Sequence, residues 1–168
     1  AAAVDYLYAN DVTNGVAPGR YGPNQKMLRR DFVLMLCRAF DFTGGSGYSF
    51  ADVPTNAYYA NAVATAKRMG IVNGDGVNFR PNSSVTRQDA MVMIKNALTA
   101  SGWSLGSGTS VDLSRFVDSR EVSSYARDAV GTLVRIGAVN GDNRGRLNPR
   151  GDITRAEIAV ILHFVMTM

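Results

Sequence analysis

Apolar residues recur along this chain in two kinds of run, and the two alternate. In the first kind they fall at helical spacing on one stripe, as in Ala62, Ala66 and Met69 and again in Ala129, Leu133 and Ile136; such spacing predicts a helix with one buried face. In the second kind they are nearly continuous, as in Phe32 to Cys37, Ala90 to Ile94 and Ile158 to Leu162. Helices that are apolar nearly all round are buried on most sides. The pattern therefore predicts pairs of helices, the second of each pair lying at a shared centre.

The polar positions between these runs repeat in register. Pro23, Pro81 and Pro149 each stand six residues before an arginine, Arg29, Arg87 and Arg155, and an acid follows at Asp31, Asp89 and Glu157. Around each proline sit two apolar positions that anchor the loop, Tyr21, Phe79 and Leu147 before it and Met27, Val85 and Ile153 after it. Upstream, Asn14-Gly15, Asn73-Gly74 and Asn140-Gly141 align, each with a valine ten residues earlier (Val4, Val63, Val130). The chain is thus one helix-loop-helix unit used three times. A lone unit of this kind cannot cover its apolar second helix, so three packed about a pseudo-threefold axis is the economical arrangement.

Helix boundaries follow from the same alignment. Gly70 and Gly137 close the first helices of units two and three, since glycine enters the left-handed conformation without a Cβ penalty, and Asp11 stands there in unit one. Thr154-Arg155-Ala156-Glu157 and Thr86-Arg87-Gln88-Asp89 read as a capping box or close to one at the second helices, whereas unit one has Leu28 in place of the threonine. The glycine- and serine-rich stretches 41 to 50 and 99 to 116 read as loops between units.

Composition narrows the chemistry. With 168 residues and 46% hydrophobic content the chain can bury one sizeable core. No stretch approaches the roughly 20 apolar residues of a membrane span, so no membrane insertion is expected. The formal charge of +4 favours anionic partners, but the basic residues are scattered, which argues against a nucleic-acid-binding arm. The single cysteine, Cys37, lies in an apolar run and reads as a buried small hydrophobe; it leaves no disulfide and no thiolate pair for zinc. The single histidine, His163, has apolar helical neighbours and reads as a helix residue. Trp103, the only tryptophan, falls in the second linker and reads mainly as core cover, with stacking on a sugar as the lesser alternative. No nucleophile with a base, paired carboxylates or metal cluster is visible, so neither an enzyme nor a cofactor is expected.

The arginine of the Thr-Arg-x-acid segment is the unexplained residue. The threonine and the acid have sufficient reason in the cap, but a positive charge in the first helical turn opposes the partly positive helix N-terminus. Its presence in all three units calls for an anion, either a ligand or an acid of a neighbouring unit such as Asp52 or Asp118.

Four features together carry a resemblance: the Phe-x-Asp-Val segment at 50 to 53, Gly-Ile-Val-Asn-Gly at 70 to 74, Phe-x-Pro at 79 to 81, and ITRAEIA at 153 to 159. The chain resembles a surface-layer homology (SLH) domain of three tandem motifs, spanning 1–40, 50–98 and 116–168 within one domain. The resemblance implies a mostly helical, pseudo-trimeric spindle. It also implies an extracellular place on a bacterial surface, as a monomeric module of a larger surface protein. The implied function is non-covalent anchoring to secondary cell-wall polysaccharide, often ending in a pyruvylated amino sugar, held in grooves between motifs. Ligand-contacting positions carried over from the family are Arg29, Arg87 and Arg155, the aspartates Asp52 and Asp118, and the turn glycines Gly15, Gly74 and Gly141, where a side chain would crowd the groove. Motif one is expected to be the weakest, because Leu28 and the missing opening segment degrade its pattern. Direct peptidoglycan binding and a purely structural assembly role are the competing readings.

Motif one also lacks the aromatic-x-Asp segment that opens the other two, since Ala1 aligns with Ala60. The full-length protein is expected to supply that segment upstream; sequencing of the intact gene checks this, and a gene without it would refute the expectation.

Overall fold

The computed structural model describes residues 1–168, which form six α-helices, two single-turn 3-10 helices at Ser119–Glu121 and Ser124–Ala126, and no sheet. The helices are α1 (Ala2–Ala9), α2 (Arg29–Ala39), α3 (Ala60–Arg68), α4 (Arg87–Ala100), α5 (Arg127–Arg135) and α6 (Arg155–Met166). Each motif contributes two, as the repeat predicts. None is long and apolar enough to cross a membrane.

The ends of the helices are set as the sequence reads. Past α3 and α5 the chain turns through Gly70 and Gly137 at φ +73° and +86°, and past α1 through Asp11 at +56°. Thr154 accepts from the Glu157 amide while the Glu157 carboxylate accepts from the Thr154 amide at 2.8 Å, a complete capping box. Thr86 caps the Asp89 amide, and Leu28 provides no side-chain cap. One boundary differs: α4 continues through Thr99 and Ala100, which the glycine and serine content of the following stretch had assigned to the linker. Ala100 is a strong helix former and the Thr99 hydroxyl donates back to Lys95 O (3.1 Å), and the break comes at Gly102, φ +98°.

The two helices of one motif are not the main packing partners. Each second helix packs along the first helix of the following motif, α2 on α3 and α4 on α5, and α6 returns to α1. At the last of these seams the Tyr6 and His163 rings pack in a tilted arrangement with centroids 4.7 Å apart, which gives His163 a structural role. Linker glycines fit against these pairs: Gly45 lies on the α3 backbone at Thr65 and Gly108 on α5 at Thr132, so closely that a Cβ on either would sit 2.2 Å from backbone atoms.

The centre is built by backbone, not by the second helices alone. The Met27 amide donates to Ile153 O (3.0 Å), the Ile153 amide to Val85 O (2.9 Å), and the Val85 amide to Met27 O (2.8 Å). This closed triangle joins all three motifs through residues that are at most 1% exposed. Two further cycles surround it. The Arg29, Arg87 and Arg155 amides donate to Ser83, Gly151 and Gln25 carbonyls, and the Arg30, Gln88 and Ala156 amides to Pro81, Pro149 and Pro23 carbonyls. The first two amides of each second helix, which have no intrahelical acceptor, are therefore satisfied by the loop of another motif. The sequence places the second helices at the shared centre, but α2 and α6 touch only lightly. Their N-termini converge on the loops instead, because only loop carbonyls can accept these amides.

The apolar anchors are continuous with this centre, and 41 buried residues form a single cluster, so the motifs share one core. Truncation at the triangle should then weaken the whole chain. Ile153→Ala is expected to lower stability by about 2–5 kcal/mol, in one cooperative transition measured by denaturant unfolding followed by both far-UV dichroism and Trp103 fluorescence. Loss of the third motif alone, seen as two separate transitions, would contradict a shared core.

Candidate functional site

Two clefts open at corresponding places between motifs. One, of about 340 Å³, is lined by Arg87 of motif two and by Asn140, Gly141, Glu157 and Val160 of motif three. The other, of about 410 Å³, is lined by Arg155 of motif three and by Asn14, Gly15, Asp31 and Leu34 of motif one. In both, the arginine of one motif faces the Asn-Gly turn and the helix acid of another, so the sequence-level grouping of Arg, Gly and acid is assembled across motifs rather than within one.

The three arginines have different surroundings. Arg29 is half-buried, donates from Nε to Phe79 O (2.9 Å), lies over the Phe79 ring, and stands 3.8 Å from the Asp89 carboxylate. Burial holds its guanidinium below the ordinary arginine value. Arg87 donates to Asp152 O (3.1 Å) and pairs with the Glu157 carboxylate. Arg155 is 6% exposed and donates from Nε to Tyr21 O (2.8 Å) and from Nη2 to Thr13 Oγ1 (3.3 Å), with its guanidinium over the Tyr21 ring. It has no carboxylate partner. The acid that corresponds to Glu157 in its cleft, Asp31, accepts instead from Tyr58 Oη and lies near Arg30.

The partners of these arginines differ from the neighbouring acids considered from sequence. Asp52 and Asp118 are committed to backbone: Asp52 accepts from the Phe79 and Arg80 amides (both 2.8 Å), and Asp118 from the Leu147 and Asn148 amides (2.9 and 2.7 Å). They fasten each motif's opening segment to its loop, and neither lines the two clefts. The acids that do meet arginines are the helix acids Asp89 and Glu157. Those pairings depend on which motif follows which in space, something a repeat alignment does not contain.

The turn glycines have a reason within their own motifs. Gly15, Gly74 and Gly141 lie at φ +75°, +56° and +79°. A Cβ on Gly74 would come 2.2 Å from Asn78 O, and one on Gly141 2.7 Å from the Phe116 ring. At Gly15 it would meet Tyr8 Oη at 2.1 Å. Gly15 and Gly141 line the clefts and Gly74 lines neither of the two.

A residue that the repeat pattern did not single out, Thr13, joins the lining of the Arg155 cleft, and the loop anchor Tyr21 packs beneath the arginine. Thr13 stands where motifs two and three have Val72 and Val139, and is buried. Its hydroxyl accepts from Arg155 and from the Gly15 amide (3.1 Å). Tyr21 donates to Arg155 O at 2.7 Å, and burial pushes its phenol up to about 12. Departures from the repeat, a polar residue where the other copies are apolar, were the available signal. Trp103 is 44% exposed and lies outside both clefts. Burial pushes the Cys37 thiol up to about 11, so it is protonated at neutral pH and unsuited to nucleophilic chemistry.

Burial alone would raise the Glu157 carboxyl, but the Thr154 amide and Arg87 outweigh it and hold the group below its usual value. A depressed carboxyl contributes stability at neutral pH, and that contribution disappears as pH falls through the folded-state value. Glu157→Gln is therefore expected to lower stability at neutral pH and to flatten the loss of stability between neutral and acidic pH, measured by urea unfolding across that range. An unchanged pH slope would show that the pair contributes nothing.

Sequence comparison agrees with this architecture. The S-layer homology domain family matches at residues 1–33, 49–91 and 115–159, one match per motif. The chain is similar to an amylopullulanase of Thermoanaerobacterium thermosulfurigenes (31% identical), covering 95% of this chain and 8% of that protein. It is also similar to the exoglucanase XynX of Acetivibrio thermocellus, 28% identical over 95% of this chain and 15% of that protein. A third relative is the surface-layer 125 kDa protein of Lysinibacillus sphaericus, 28% identical over 95% of this chain and 13% of that protein. The chain thus corresponds to a small part of each, and two relatives named as enzymes share it with one named for the surface layer.

Proposed function

The chain belongs to the S-layer homology domain family, a family of extracellular cell-surface modules, and we propose that it anchors its parent protein by binding an anionic cell-wall polysaccharide in the clefts between motifs. The observation that carries this reading is Arg155: a buried guanidinium, lining an open cleft, without a carboxylate partner. A buried charge left without an ion partner is costly. An acidic substituent on a sugar, such as the carboxylate of a pyruvylated amino sugar, supplies the missing partner in a geometry that a guanidinium binds bidentately.

Around that charge the cleft offers what a sugar needs. Asn14 and the exposed edge of Leu34 and Val16 line it, giving hydrogen-bonding groups beside apolar surface. The Arg87 cleft has the same plan with its arginine already paired to Glu157, so an anion there must displace or share that pair. We rank it second. Arg29, stacked on Phe79 and close to Asp89, supports the alternative structural role at its own position.

The test uses wall sacculi. The wild-type chain should co-sediment with them and be released once the polysaccharide is chemically stripped. Arg155→Gln, shown to be folded by its thermal transition, should bind at least about tenfold more weakly, as befits loss of a charge-assisted hydrogen-bonded contact. Full binding of the folded variant, or binding unchanged on stripped peptidoglycan, would overturn the reading, the latter in favour of direct peptidoglycan binding.

A further inference from the structure

Three Asn-Gly pairs punctuate the chain, one at the same turn of each motif: Asn14-Gly15, Asn73-Gly74 and Asn140-Gly141. All three asparagines are exposed. An asparagine followed by glycine is especially prone to lose its side-chain amide, because no side chain on the glycine shields the asparagine carbonyl from the next backbone nitrogen. Attack requires that nitrogen to shed its proton. An N–H held in a hydrogen bond keeps the proton and faces its acceptor instead of the asparagine.

The three turns differ in this respect. The Gly74 and Gly141 amides donate to no group of the protein, and both glycines are exposed. Gly15 is half-buried, and its amide donates to Thr13 Oγ1 at 3.1 Å. That hydroxyl is itself fixed, since it also accepts from Arg155 Nη2 at 3.3 Å and Thr13 is 2% exposed. Motifs two and three have Val72 and Val139 at this position, buried side chains with no acceptor to offer. The asparagine side chains differ as well. Asn140 Nδ2 donates to Gly137 O at 3.2 Å, a bond that must break before the side chain can turn to Gly141. Asn14 and Asn73 make no side-chain hydrogen bond, so between these two the Thr13 contact is the difference.

We infer that Asn73 and Asn140 are sites of spontaneous deamidation and that Thr13 guards Asn14 against it. In the reaction the glycine nitrogen, its proton taken by hydroxide, attacks the asparagine Cγ. The N–Cγ bond forms, the Cγ–Nδ2 bond breaks, and ammonia leaves with a proton from water, which regenerates hydroxide. Water then opens the cyclic imide at one carbonyl or the other and leaves aspartate or isoaspartate. The consequence is uneven. At position 140 a new carboxylate joins Arg87, Arg146, Asp142 and Glu157 around one cleft, where it competes with any other anion for the two guanidiniums. At position 14 the guard keeps an uncharged amide in the cleft of Arg155 as the protein ages. The chemistry does not depend on what either cleft binds.

The experiment holds the whole chain in mildly alkaline buffer, digests samples taken over time, and follows the peptide of each turn by mass spectrometry, with aspartate and isoaspartate separated by chromatography. Asn73 should convert first, Asn140 next and Asn14 last. Asn14 should lag Asn73 by about three- to tenfold, the rate equivalent of one neutral hydrogen bond. Thr13→Val, which copies the residue of the other motifs, should raise Asn14 to the rate of Asn73 and leave Asn73 and Asn140 unchanged. Those two are internal controls, because a variant that only loosens the fold accelerates all three. Val139→Thr should do the reverse and slow Asn140 alone. If Thr13→Val accelerates all three, Val139→Thr decides: a slower Asn140 supports the guard, and an unchanged one refutes it. Conversion of Asn14 as fast as Asn73 in the wild-type chain, or an Asn14 rate unmoved by Thr13→Val, overturns the role of Thr13. Intact amides at both Asn73 and Asn140, under conditions that deamidate the same turn sequences as free peptides, overturn the sites themselves.

Discussion

The closed triangle of backbone hydrogen bonds among Met27, Val85 and Ile153 is the constraint on which the remainder of the structure depends. A cycle of three amides and three carbonyls can close only if every motif brings its loop to the same point, so no motif can leave without breaking bonds in both others. With the two outer cycles it also consumes the first two amides of each second helix. Those amides would otherwise form the anion-binding end of a helix. Because they are spent on neighbouring carbonyls, they are closed to an anion, and in the proposed function its recognition falls to side chains instead, Arg155 first among them.

The same ring explains why three equivalent arginines have three different environments. Each is thrown across to a different motif, and what it meets there is set by that motif's individual residues. Arg87 meets Glu157, and the pair is satisfied within the protein. Arg29 meets the Phe79 ring and carbonyl, with Asp89 at the edge of ion-pair distance. Arg155 meets Thr13 and Tyr21, whose hydroxyl and carbonyl accept its hydrogen bonds but leave its charge without a counter-ion. Asp31 could have provided one, but Tyr58 of motif two donates to it instead. Sequence divergence among the repeats thus turns one architecture into non-equivalent clefts.

Much of this was legible in the chain before any coordinates. The helical stripes, the Thr154 cap with its Glu157 partner, the glycine stops and the buried loop anchors all rest on local rules, and local rules survive folding intact. What the sequence could not show was which motif faces which. The assignment of Arg87 to Glu157 and of Arg155 to Thr13 spans 70 and 142 residues, and nothing in the spacing encodes it. For the same reason the aspartates Asp52 and Asp118 looked available for a ligand or an arginine, although geometry commits both to backbone amides. The informative position proved to be one that breaks the repeat, Thr13, where motifs two and three have Val72 and Val139.

The central claim is that the unpaired guanidinium of Arg155 is where the anion binds. The most direct measurement is the side-chain nitrogen spectrum of the arginines during titration with a pyruvylated N-acetylhexosamine. The Arg155 guanidinium signals should shift and sharpen as its missing partner arrives, while those of Arg29 stay in place. Saturable movement of the Arg29 or Arg87 signals with Arg155 unmoved, or no movement of any, would contradict the account.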